Sequence, residues 1–114
     1  MNKVYQGVFV VFVLGLLACS YRLYPLPSQR DLNLMKDYSP MLPDSIELSQ
    51  GSQLYAMKCG KCHYLYRPHQ FREEVWRTQV QEMAARSHLD SAGRIAVLQY
   101  LLTIKKWEEW KKKN

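Results

Sequence analysis

The sequence predicts an all-α fold of about three helices in one small domain, and three observations carry that prediction. Apolar residues recur at helical spacing, as in Trp76, Val80 and Met83, which stand at i, i+4 and i+7 and form one stripe. No stretch alternates apolar and polar residues in the manner of a half-buried strand. At 114 residues the chain holds one domain at most, and the part with helical periodicity is shorter still. A domain of roughly sixty residues buries only ~60% of its surface and is marginal without help. The chain has three cysteines, two of them near neighbours inside this region, and bridging those two would close a very short loop with little effect on the unfolded chain. Something other than a disulfide has to complete the core.

Taken in order, the first element is no part of the fold. Residues 1–18 begin with a single Lys, continue through an unbroken apolar run from Val8 to Leu14, and end in small and apolar residues, which is the layout of a secretory signal peptide. The apolar run is short of the ~20 residues that comfortably span a bilayer, and an uncleaved anchor from Val4 is the alternative. Its end, "LLAC" from Leu16 to Cys19, resembles the lipobox of bacterial lipoproteins. The resemblance implies cleavage before Cys19 and a lipid on that cysteine, which would hold the chain to a membrane. It also accounts for an odd cysteine count, the alternative being a free thiol. Export places Cys59 and Cys62 outside the reducing cytosol, on the periplasmic side of a bacterial membrane.

Residues 19–45 follow, with Pro25, Pro27, Pro40 and Pro43 and no sustained period. They are expected to form a Pro-rich tether, semi-extended at ~3.1 Å per residue where polyproline-like. The alternative is an ordered arm in which Tyr21, Leu23, Tyr24 and Met35 pack on the domain.

The domain itself is expected over residues 46–104. A first helix near Glu47 to Met57 carries Leu48, Leu54 and Tyr55 on one side and ends where the cysteines begin. A second, near Arg72 to Arg86, holds the Trp76 stripe. The third starts after the capping residues Asp90 and Ser91, with Ile95, Leu98, Leu101 and Leu102 on its inner face. Residues 105–114, "KKWEEWKKKN", form a basic tail rich in Trp and Lys. It reads as a solvated helix end with Trp107 or Trp110 folded back, or as a surface for an acidic redox partner or anionic headgroups. Nucleic acid is not expected, because export removes it from reach.

The chemistry lies in "KCGKCHYLYRP", Lys58 to Pro68. Dithiol redox chemistry wants CxxC beside a βαβ pattern, and no strand precedes this one. Structural zinc wants four ligands in paired spacings, whereas His69 and His88 are isolated. A zinc site at Cys59, Cys62, His63 and one of these would be strained, since Cys62 and His63 are adjacent; the third chemistry is covalent haem, for which CxxCH is the attachment signature. Two residues between Cys59 and Cys62 let one helical turn reach both vinyl groups of the porphyrin, and the next residue, His63, then falls under the iron as proximal ligand. A haem is also the large apolar body that a marginal core lacks.

The order "GSQLYAMKCGKCH", "RP", "WRTQVQEM" and "IAVLQYL" resembles a small class I c-type cytochrome, the compact monohaem kind with a WxxxVxxM helix. The resemblance covers Gly51 to Leu102. It implies a compact cytochrome c fold around one covalent haem, and electron transfer rather than enzyme activity. It further implies that Gly51 and Tyr55 lie where the first helix crosses the last, that Tyr100 and Leu101 belong to that last helix, and that the Pro68 carbonyl orients His63. The connection from His63 to Trp76 is short for that family. Spacing alone would let Met83 simply fill the core. The resemblance makes Met83 the distal iron ligand, with His88 as the substitute that would give a bis-His site. Met/His ligation raises the reduction potential, and an iron with both axial positions filled has no place for substrate. An open distal position would instead suit gas binding or sensing, and a haem-free chain would leave a zinc or thiol CxxC site.

Overall fold

The computed structural model describes residues 24–114; the expected signal peptide and Cys19 lie outside the described residues. Within them all regular structure is helical: α1 (Gln29–Met35), α2 (Ser45–Leu54), α3 (Glu73–Arg86) and α4 (Ser91–Lys113). A π-helical turn, Tyr55–Cys59, prolongs α2, and a 3-10 turn, Pro68–Gln70, precedes α3.

Local chemistry fixes where the helices begin. Asp44 caps α2 by accepting the amides of Ile46 and Glu47 at 2.8 Å, and the Glu47 side chain returns to the Asp44 amide at 3.1 Å. That is the reciprocal capping box, which satisfies donors the helix itself cannot. Asp90 caps α4 through the Gly93 amide at 2.7 Å, so of the two expected capping residues it is Asp90 that acts.

Helix α2 crosses α4 at Gly51. A Cβ on that residue would stand 2.3 Å from the Ala96 carbonyl oxygen and 2.8 Å from the Tyr100 Cβ, so the two backbones approach as closely as a missing side chain allows. Helix α3 packs on α4 as well, burying Trp76, Val80 and Ala84. Between these helices, Val97, Tyr100, Leu101 and Ile104 of α4 are essentially inaccessible.

Ile95 departs from expectation. Expected on the inner face, it is 51% exposed. The α2 crossing makes Val97 and Tyr100 the centre of the inner face, and a residue two positions before Val97 points about 200° away around the helix. Leu98, three positions after Ile95, is accordingly only half-buried.

The Pro-rich segment contains a helix. Ser28 and Asp31 form the capping box of α1, whose Leu32 and Met35 are 1% and 0% exposed. The arm is tied to the far end of α4: the Tyr24 hydroxyl donates to Glu108, and the Lys106 ammonium lies 3.5 Å from the Ser39 hydroxyl. From Tyr24 onward, then, the chain takes the form of an ordered arm, whereas Tyr21 and Leu23 lie outside the described residues. The basic tail is the continuation of α4 to Lys113. Trp107 is buried there with the Lys111 ammonium 3.6 Å above its ring, as a cation on an aromatic face.

Candidate functional site

One cavity of about 370 Å³ gathers most of the chemistry-bearing residues. Its walls come from three places. Helix α3 supplies Trp76, Val80 and Met83, the stripe visible in the sequence. The turn after α2 supplies Tyr55 and Cys59, and the following loop supplies His63. The lining is mainly apolar and the volume lies in the range of small-molecule sites.

The frame around it is held by buried hydrogen bonds and aromatic edges. The Trp76 indole donates to the Pro68 carbonyl at 2.7 Å, and the Tyr55 hydroxyl donates to the Tyr66 carbonyl at 2.8 Å. Phe71 meets Trp76 edge to face at 5.2 Å, and Tyr55 meets Trp76 likewise at 6.3 Å, geometries in which the ring quadrupoles attract. The short loop from His63 to α3 is thereby closed onto the helices it joins. Burial pushes the Tyr55 phenol well above its usual value, with Cys59 and Tyr100 adding to the effect. Tyr55 is therefore a neutral donor at any ordinary pH.

The π-helical turn ends at Cys59, which faces the cavity half-buried. Single π turns inside helices recur at functional sites, because the widened turn re-aims side chains. Both Cys59 and Cys62 are free thiols. Burial, and then the neighbouring Cys62, raise the Cys59 thiol above its ordinary range. Cys62 is exposed and lies off the cavity lining.

His63 lines the cavity with its ring Nδ1 2.7 Å from the Tyr64 carbonyl oxygen. A carbonyl only accepts, so Nδ1 donates to it, and in the neutral ring Nε2 is the nitrogen with a free lone pair. That is the tautomer a metal-ligating imidazole needs. The partner is Tyr64, whereas the resemblance assigned this role to Pro68; the Pro68 carbonyl is taken up by Trp76.

Of the two distal candidates, Met83 borders the cavity and His88 does not. His88 ends the turn after α3 with a left-handed φ of 54° and borders a separate depression beside Lys58 and Gly93. Among the described residues, no three His, Cys, Asp or Glu side chains converge as a metal cage. The structure thus brings Cys59, His63 and Met83 together and leaves Cys62 and His88 outside.

Several lining residues escaped the sequence reading. Val75, Gln79 and Met83 follow one another at i and i+4, so a wider stripe on α3 could have revealed the first two. Tyr66 and Phe71 sit in a loop with no period, and only the folded chain places them. Comparison of the chain with family models, with curated proteins and with solved structures finds no match.

Proposed function

We propose that this chain is an exported, lipid-anchored, monohaem c-type cytochrome that carries single electrons between redox partner proteins on the periplasmic side of a bacterial membrane. The observation that carries the reading is the convergence of Cys59, His63 and Met83 on one apolar cavity, with Cys62 adjacent to His63 in the chain. A thiol pair, an imidazole with a free Nε2 and a thioether form the donor set for covalent haem c, so the residues present fit the group. When bound, the haem supplies a one-electron iron couple.

The chain's own residues do the rest. Cys59 and Cys62 would hold the group through thioether bonds. His63 presents Nε2, with Nδ1–H donated to Tyr64. Met83, on the wall that α3 supplies, would offer its sulfur, and a Met/His pair favours a high potential. Trp76, Val80 and Phe71 would give the group an apolar wall. Partners are expected to be acidic proteins drawn to a chain of formal net charge +6, and nucleic acid is not among them.

The test is an absorption spectrum of the protein exported in a host with haem-attachment machinery, recorded oxidised and then reduced. A low-spin c-type spectrum with a weak far-red band in the oxidised form is expected. A colourless protein would return Cys59 and Cys62 to zinc or thiol chemistry. High-spin iron, or carbon monoxide binding at neutral pH without ligand displacement, would turn the reading toward a gas binder. The double variant Cys59→Ala/Cys62→Ala should carry no covalent haem, and haem retained by it after denaturing electrophoresis would reject the assignment. Fatty-acid labelling should vanish in Cys19→Ala; persistent label would remove the anchor.

A further inference from the structure

We infer that the C-terminal end of α4, together with the arm that packs on it, is the face the domain lays against an anionic lipid surface. The inference rests on the proposed lipid at Cys19 for its orientation and on the fold for its composition.

Composition comes first. Lys111, Lys112 and Lys113 close α4 and are exposed. The Lys113 ammonium lies 5.1 Å over the ring of Tyr38 and 3.5 Å from its hydroxyl, which joins the basic helix end to the arm. On that arm Leu34, Tyr38 and Met41 are 54%, 46% and 91% exposed, although Leu32 and Met35 beside them are buried. Exposed apolar residues next to a lysine cluster match the two needs of an interfacial surface, apolar insertion and attraction to anionic headgroups.

Reach comes second. The ordered arm begins at Tyr24, whose hydroxyl is held by Glu108. The five residues from Cys19 to Tyr24 span at most about 18 Å when fully extended. Glu108 precedes Lys113 by five helical residues, or about 7.5 Å. A lipid on Cys19 therefore keeps the bilayer within that reach of Tyr24, which borders Tyr66 and Tyr100 as well as Glu108; the α4 terminus lies within it, and its lysines and exposed apolar neighbours single out that face. A loose tether running to residue 45 would have imposed no such limit.

An acidic protein would meet these lysines as well as a headgroup would, so it is the short leash to a lipid-bearing Cys19, with the exposed apolar residues beside the lysines, that selects a lipid surface as occupant. There is a consequence for the cavity. It draws on Val97, fourteen residues before Lys111, which is about 21 Å along the axis of α4. Lys58 borders a depression with Ala92 at the start of the same helix, about 28 Å from Lys111 by the same rise.

The test is amine labelling of the full lipid-bearing chain with a membrane-impermeant reagent, read by peptide mass spectrometry. Vesicles of phosphatidylcholine alone are compared with vesicles that also contain phosphatidylglycerol. Lys111, Lys112 and Lys113 should label roughly fivefold more slowly on the anionic vesicles, in keeping with the attraction of a single lysine to such a surface, and should recover in high salt. Lys58 should label equally on both. Equal labelling of the three terminal lysines on both vesicles, with the chain still sedimenting with each, would overturn the inference and keep the anchor. A chain that washes off phosphatidylcholine but sediments with phosphatidylglycerol, its terminal lysines protected, would overturn the anchor and keep the surface. Protection of Lys58 in place of the terminal lysines would show the opposite end facing the bilayer and overturn the proposed orientation.

Discussion

At the scale of single residues, Trp76 joins the two halves of the site. Its indole N–H ends on the Pro68 carbonyl and its ring meets Phe71 and Tyr55, so one side chain closes the loop, the π turn and α3 together. Trp76→Phe keeps an aromatic ring and removes the donor, leaving a buried carbonyl unpaired, which is expected to cost about 1–3 kcal/mol. Urea denaturation of the two proteins measures it, and unchanged stability would show that the bond contributes nothing. The role of Trp76 as a stripe residue was legible from its spacing to Val80 and Met83. Its hydrogen bond was not, because the acceptor is a backbone atom of a loop whose course depends on the aromatic contacts around it.

Between elements, the decisive contact is the α2–α4 crossing. With 2.3 Å from a notional Cβ on Gly51 to the Ala96 carbonyl oxygen, Gly51→Ala has to push two helices apart. Overpacking of this kind typically costs about 1–3 kcal/mol, and a backbone atom gives way less readily than a side chain. Thermal unfolding of Gly51→Ala should show a clear fall in midpoint; a wild-type midpoint would mean that the helices part without penalty. Helix α3 offers a pH-dependent test. The Arg77 guanidinium, 2.5 Å from Glu73 one turn back, holds that carboxyl below the usual carboxylate range, against an opposing contribution from burial. A depressed folded value adds stability that is present above the ordinary carboxylate pKa and lost as pH falls through the lowered one. The pair is largely exposed, so its contribution is about 0.3–0.5 kcal/mol. Arg77→Ala should remove that increment at neutral pH and leave stability in strong acid unchanged. A constant difference across the whole range would assign the effect to packing.

Over the whole molecule, the arm is the part that changes the picture. Leu32 and Met35 sit in the interior while Leu34, between them in sequence, is exposed. Met35→Ala is therefore expected to cost about 2–5 kcal/mol, as large-to-small core changes do. Leu34→Ala should stay within about 0.5 kcal/mol in the same denaturation assay. Equal, small effects at both positions would mean that the arm adds nothing to the core. The chain thus adds an ordered arm, laid across the end of α4, to a core that would otherwise be small.

The amino-acid sequence by itself determined the helical class, the start of α4 through Asp90, and the stripe on α3, because periodicity and capping are local properties of neighbouring residues. It also placed Cys59, Cys62 and His63 in the spacing on which the proposed haem attachment rests. Only the tertiary structure decided that Met83 and not His88 borders the cavity and that Ile95 faces outward. It also decided that a proline-rich segment folds back as a helix. Each of these turns on which surfaces meet when helices cross, and a crossing joins residues far apart in the chain whose approach no local pattern records.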